Sequence, residues 1–373
     1  IYIHIPFCKK ACSYCNFHFS TSLILYDEMI NAIKKEIVLR SKNYNDEIET
    51  IYFGGGTPSL LKIKDIDDIF LNIENNYNLS NNIETTIEAN PDDFSKDKLK
   101  SLSKTKINRI SLGVQTLNDD ALKLMKRVHS SKQSIESIEN SLLFFKNVSI
   151  DLIYGIPNLD ANSLDQDLRL SQHYDIKHIS AYALTVEPKT LLESQINKKL
   201  VTMPQDDDVY KQYTYINNFL YNENYENYEM NSYAKNGFYS KNNSAYWLRK
   251  KYIGVGPSAH SFDGFTRSWN ISNNSEYIKG VKVNKLNVKR EVLSKVDIYN
   301  EYVMTGLRTI WGVSSGYISK NFGKNFYEHF MNRSQSYLKS NHLVKNGDLY
   351  TVSKKGKFLT DGIAAELFLI KLK

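Results

Sequence analysis

The sequence predicts an α/β fold: a partial (β/α)6 barrel followed by a smaller C-terminal α+β domain of winged-helix type. Three observations carry the prediction. Through the first half of the 373 residues, six short β-branched runs alternate with segments of helical period, the pattern of parallel strands joined by crossover helices. Beyond about residue 290 the pattern changes to helices followed by one hairpin. All three cysteines fall in one eight-residue window just after the first run.

Taken in order, the first strand is Ile1 to Ile5, and it leads into the loop that holds Cys8, Cys12 and Cys15. A helix from Tyr26 to Arg40 crosses to the second strand, Glu49 to Phe53, which runs into Gly54-Gly55-Gly56-Thr57-Pro58. Glycines there allow positive φ and a close backbone approach to a ligand, although they also serve plain tight turns. After a helix from Asp65 to Asn75 comes the third strand, Ile83 to Ala89, with Glu88 at its end and Pro91 to stop it. The fourth, Ile107 to Val114, ends at Gln115, and Arg127 lies beyond the next helical stretch. The fifth, Val148 to Tyr154, carries Asp151, an acid that is costly in an apolar strand unless paired or used. The sixth is His178 to Leu184. Six units close most of a barrel, and barrel chemistry sits at the C-terminal ends of the strands, which makes the polar residues there the candidates.

The cysteine spacing, C-x3-C-x2-C, is the strongest chemical signal. Three thiolates on one loop hold three irons of a four-iron cluster and leave the fourth open for a ligand. A disulfide framework expects an even count in a short secreted chain. Zinc completed by His4 or His18 is the weaker alternative, because structural zinc sites usually come as two separated ligand pairs.

With Tyr14 before the last cysteine, this loop resembles the signature of the radical S-adenosylmethionine family. The start Ile1-Tyr2-Ile3-His4-Ile5-Pro6-Phe7-Cys8 is similar to the branch that contains oxygen-independent coproporphyrinogen III dehydrogenases and heme chaperones. The resemblance implies a [4Fe-4S] cluster on Cys8, Cys12 and Cys15. It also implies an S-adenosylmethionine site made by Tyr2, Gly55, Gly56, Thr57, Glu88, Gln115, Arg127, Asp151 and Ala183, with Arg127 on the ligand's carboxylate. In that family the reduced cluster cleaves the sulfonium to a 5′-deoxyadenosyl radical, so the cofactor carries the hard chemistry. Whether this chain performs that step, and hence whether it is an enzyme, stays open.

Within the branch, three features favour a chaperone that holds heme and passes it on; the alternative is radical decarboxylation of coproporphyrinogen III in porphyrin biosynthesis. The dehydrogenases carry a fourth cysteine where this chain has Phe17. They also carry an N-terminal extension, whereas this sequence starts on its first strand. The segment Asn242 to Trp247 resembles the chaperones' His-Asn-x-x-Tyr-Trp motif, with Asn242 in place of the histidine. The resemblance makes Asn242, Tyr246 and Trp247 heme candidates, and His260 is an alternative ligand because a carboxamide ligates iron poorly. Tyr246 and Trp247 also read as plain packing.

The domain reading is 1–235 for the radical S-adenosylmethionine partial barrel, 236–290 for a connecting segment with the heme motif, and 291–373 for the winged-helix-like domain. The last rests on helices from Val296 to Thr309 and Ile318 to Lys339 and on a hairpin around Asn346-Gly347-Asp348. The net charge of +7 is dispersed, so nucleic acid is not expected. No run of about 18 apolar residues occurs, so no membrane span is expected. The expected location is the cytoplasm, where thiols stay reduced. Expected partners are heme-accepting proteins, respiratory ones among them, and an electron donor if the cluster is redox-active. Peripheral membrane association and a homodimer are left open.

Overall fold

The computed structural model describes residues 1–42 and 44–370. Its main body is one sheet of nine strands. Six of them, β1 (Tyr2–Ile5), β2 (Ile48–Gly55), β3 (Leu79–Ala89), β4 (Arg109–Gln115), β5 (Asn147–Tyr154) and β6 (His178–Ala183), lie side by side in chain order, each parallel to the next. The six strands expected from the sequence are these six. The sheet stays open. An antiparallel hairpin, β7 (Glu226–Glu229) and β8 (Ser232–Ala234), extends it beyond β6, and β9 (Gly254–Val255) pairs parallel to β1 at the other edge.

Strand alternation divides the sheet into an oily outer face and a polar lumen. Ile3, Ile5, Ile51, Phe53, Ile110, Leu112, Val148 and Ile150 join the main core, where each such side chain contributes roughly 1.5–3 kcal/mol by leaving water. The helix Tyr26–Ser41 shows how the outer layer is specified. Met29, Ile30, Ile33 and Ile37 recur at three- and four-residue spacing and are buried, while Asp27 and Glu28 begin the helix and Arg40 ends it, as its dipole favours. The intervening strand residues, among them Tyr2, His4, Thr50, Tyr52, Glu88, Arg109, Ser111, Ser149 and Asp151, face the lumen.

A small antiparallel sheet of β10 (His260–Phe262), β11 (Thr266–Asn270) and β12 (Val288–Val292) follows β9. The C-terminal part has its own core, which runs from Tyr299 to Leu367 and includes Val303, Ile318, Phe330 and Tyr350. Its strands β13 (Val313–Ser314), β14 (Leu343–Asn346) and β15 (Leu349–Val352) form a sheet in the order β13, β15, β14. The expected turn is there, with Asn346 opposite Leu349 and Gly347 at φ +62°. The helical stretch Ile318 to Lys339 is two helices, Ser315–Phe322 and Lys324–Lys339, broken at Gly323, whose φ of +89° no helix tolerates. None of the described helices is long and apolar enough to cross a membrane.

Candidate functional site at the barrel mouth

The cysteine loop is stitched to the C-terminal ends of the strands by main-chain hydrogen bonds. Cys8 N–H donates to the Ser20 carbonyl (3.0 Å), and Ser20 N–H donates back to Pro6 (2.9 Å). From the end of β2, Gly56 N–H donates to Ile5 (2.9 Å) and Thr57 N–H to Phe7 (2.7 Å). On the far side Ser13 donates through N–H to Met125 (3.0 Å) and through Oγ to Leu124 (2.9 Å). Lys9 pairs with Asp92 (2.7 Å) and Asp93, just past β3.

All three cysteines are unpaired and half-buried. Burial pushes the Cys8 thiol up to about 11, although a hydrogen bond with Thr57 pulls the other way, and burial also raises Cys15. Bare thiolates are therefore costly here, and a bound cation is what removes that cost. Three sulfurs on one loop, with no fourth cysteine in the chain, fit a four-iron cluster that keeps one iron open.

The glycine run is explained first by packing. A Cβ on Gly55, at φ +111°, would lie 2.6 Å from His4 Nδ1, and one on Gly56 would lie 2.6 Å from the Phe7 carbonyl. A side chain at Gly56 would push the cysteine loop off β2, and one at Gly55 would displace the His4 ring. Gly55 N–H donates to Glu88 Oε2 (3.2 Å), and the Tyr52 hydroxyl donates to Oε1 (2.8 Å). Burial lifts the Glu88 carboxyl to about 7 against those two donors. The Tyr2 ring stacks on Tyr52 (6.0 Å), and its hydroxyl is hydrogen-bonded to His4 Nδ1 (3.3 Å).

Arg127 ties the mouth together. Its guanidinium donates to Asn90 Oδ1 (2.5 Å), to the Gly113 carbonyl (3.1 Å) and to Cys12 Sγ (3.5 Å), and its Nε is buried with no partner. Asn90 Nδ2 in turn donates to Thr57 Oγ1 (3.3 Å). Gln115 sits at φ +67°, where the pairing of β4 with β5 slips register, and such strain collects at functional sites. Asp151 accepts from Ser111 (3.3 Å) and Ser180, and burial raises its pKa. Ala183 ends β6 opposite Tyr154. Gly55, Glu88, Gln115 and Ala183 thus lie at the C-terminal ends of β2, β3, β4 and β6, Gly56 and Thr57 just past β2, whereas Tyr2 begins β1, Asp151 lies within β5 and Arg127 follows the helix after β4. Tyr52, Asn90, Ser111 and Ser180 complete the site without having been singled out, though their alternation with Glu88, Arg127's partner strand and Asp151 was the available signal. So was Arg109, a cation inside a strand. It is 1% exposed, its Nε has no partner, and it stabilises the charged forms of Glu88, Asp151 and Glu229.

Of the residues suggested for heme, Asn242, Tyr246 and Trp247 share one helix, and His260 lies apart from them on β10. Asn242 lies at the opposite end of the barrel, 5% exposed, on the helix Lys241–Trp247. Its Oδ1 accepts from Thr50 (3.0 Å), its amide reaches Tyr246, and the Glu84 carboxylate caps the backbone N–H groups of Lys241 and Asn242 (3.1 Å each). Tyr246 packs edge-on against Tyr252 at 4.7 Å. Trp247 Nε1 donates to Glu229, which also accepts from Ser232 and is lifted to about 7 by burial. His260 is exposed on β10 and stacked on Trp269 at 5.7 Å.

Against known proteins, the family model of the Radical SAM superfamily matches residues 2–171. The heme chaperone HemW of Bacillus subtilis is 33% identical over 330 residues, 87% of this chain and 86% of its own. The heme chaperone HemW of Buchnera aphidicola from Schizaphis graminum is 32% identical, over 97% of this chain and 96% of its own. The structure of coproporphyrinogen III oxidase (HemN) from Escherichia coli, described as a Radical SAM enzyme, superposes with a TM-score of 0.84 at 21% identity, covering 98% of this chain and 89% of that one, a likeness of fold. Fold and family match together define the class, a Radical SAM protein built on an open six-stranded partial barrel. Within that class the chain belongs to the HemW family.

Proposed function

We propose that this protein is a cytoplasmic heme chaperone that binds a [4Fe-4S] cluster, S-adenosylmethionine and heme, and transfers the heme to recipient proteins. The observation that carries the reading is its 33% identity, over most of both chains, to a protein named a heme chaperone. Phe17, 69% exposed where the dehydrogenase pattern has a cysteine, supports it. Cys8, Cys12 and Cys15 would hold the cluster, which when bound supplies an open iron and one-electron chemistry. The chain's own groups do the rest. Arg127 presents a fixed guanidinium for a carboxylate, Glu88 and Asp151 offer acceptors for amine and ribose hydroxyls, and Gln115 holds a strained backbone beside them. The working units are 1–235 for the barrel, 236–290 for the motif segment and 291–373 for the C-terminal domain.

The test is anaerobic reconstitution followed by heme titration, with a parallel incubation in coproporphyrinogen III, S-adenosylmethionine and reductant. Saturable heme binding without porphyrinogen turnover is expected. Decarboxylation of the porphyrinogen would replace the chaperone reading with the dehydrogenase one.

A further inference from the structure

A cavity lies away from the barrel mouth, where the helix Lys241–Trp247 and the β10–β11 turn meet the C-terminal domain at its helix Lys295–Leu307. Its volume is about 640 Å³, inside the roughly 300–1,000 Å³ range of sites that enclose small organic ligands. Its walls are aromatic, with Trp247, Phe265, Trp311 and Tyr317, and its cations are Arg249 and Lys295. Phe265 is 70% exposed and presents its ring to solvent, while Tyr317, 46% exposed, lies against Tyr302 with ring centroids 4.6 Å apart. Flat faces suit a planar conjugated ligand, and the exposed Lys295 suits a carboxylate at its edge, whereas Arg249 is already paired with Glu301 (3.6 Å) and donates to the Ile298 carbonyl.

We propose that this seam cavity is the porphyrin site, and that it grips the ring and its propionates rather than the iron. This rests on the heme-chaperone reading and gives it a location. Of the motif residues only Trp247 lines the cavity, because Asn242 and Tyr246 are committed to the barrel interior. The lining holds no histidine, cysteine or methionine, and its tyrosines are turned to packing and hydrogen bonding, Tyr302 accepting from Ser314 N–H (2.9 Å) and packing against Tyr317, so the replacement of the motif histidine by Asn242 costs the cavity nothing. Without a strong iron bond, release to a recipient breaks no coordination.

The test uses the full chain and follows tryptophan quenching, since two of the three tryptophans line the cavity. Heme and metal-free protoporphyrin IX are titrated into the wild type and into the variants Phe265→Ser, Lys295→Glu and His260→Ala, all at exposed positions. Comparable affinities for heme and metal-free porphyrin are expected. Phe265→Ser and Lys295→Glu should each weaken both ligands by roughly tenfold, the scale of one lost aromatic or charged contact, and His260→Ala should change neither. If heme binds while metal-free porphyrin does not, or if His260→Ala abolishes binding and the cavity variants leave it intact, the site is overturned although the chaperone reading survives. Failure of the wild type to bind either ligand would overturn both.

Discussion

The two ends of the barrel differ in how fully their polar groups are paired. At the mouth, polar groups converge but are left with spare capacity. Arg127 keeps a buried Nε without a partner, Gln115 is held at positive φ, and burial pushes Glu88 and Asp151 toward protonation. At the floor many polar groups consume one another, although Arg109 Nε and Ser244 Oγ are left without a partner. Thr50 donates to Asn242, Glu84 caps the helix above it, Ser149 and Tyr228 bracket His178 (2.7 and 2.8 Å), and Ser232 and Trp247 share Glu229. The difference is therefore one of degree: paired groups stiffen the floor, and the groups left over at the mouth are the ones a ligand can use.

The sharpest way to break this contrast is to remove the sulfurs. Joint Cys8→Ala, Cys12→Ala and Cys15→Ala substitution should abolish iron and sulfide incorporation, read by elemental analysis, while circular dichroism stays native. Retained iron would mean that the mouth is not the cluster site. Next in size is Arg127→Lys, which keeps the charge but not the fork. Loss of a charged hydrogen bond is worth about 1.5–3 kcal/mol, so S-adenosylmethionine should bind roughly 10- to 150-fold more weakly in calorimetry of the reconstituted protein. An unchanged affinity would remove Arg127 from the ligand site.

The floor titrates as well. With its pKa raised from the ordinary 4.5 to about 7, Glu229 keeps a proton in the folded chain that the unfolded chain releases between those values. Its contribution is full below about pH 4.5 and is lost as pH rises through 7. Glu88 and Asp167 are raised to about 7 too, so denaturant midpoints of the wild type should fall across that window, on the order of 1–3 kcal/mol in stability for each group, and Glu229→Gln should remove its share of the slope and leave theirs. A slope in Glu229→Gln equal to that of the wild type assigns the effect to the other two. The smallest effect is expected at the motif. Asn242→Ala strips Thr50 of its acceptor and should cost about 1 kcal/mol in urea unfolding, with heme affinity unaltered. A large loss of heme affinity would return Asn242 to the ligand site.

Much of this was legible in the sequence because the signals are local. All six barrel strands declared themselves by β-branched runs, and the hairpin by its turn Asn346-Gly347-Asp348. Cys8, Cys12 and Cys15 are spaced by their own loop, Glu88 and Gln115 fall at strand ends, and Asp151 lies within β5 at a position that alternation aims inward. What stayed hidden depends on pairing through space. The two residues of β9 lie in Gly254-Val255-Gly256-Pro257, which reads as a turn, and they become a strand only because β1 offers an edge. No pattern tells that Asn242 faces Thr50, 192 residues away, or that Glu229 meets Trp247. Gly323 was visible, but a lone glycine in a helical pattern is usually tolerated, and only its φ shows that it breaks the helix.

The position of Arg127 couples two equilibria. One guanidinium touches the sulfur of Cys12 and keeps a buried Nε without a partner, so a cluster held at Cys12 and a carboxylate held by Arg127, as proposed above, would not bind independently. Linkage makes the coupling reciprocal: whatever factor the cluster adds to the affinity for S-adenosylmethionine, S-adenosylmethionine adds to retention of the cluster. A chain short of that ligand would be the first to lose its iron.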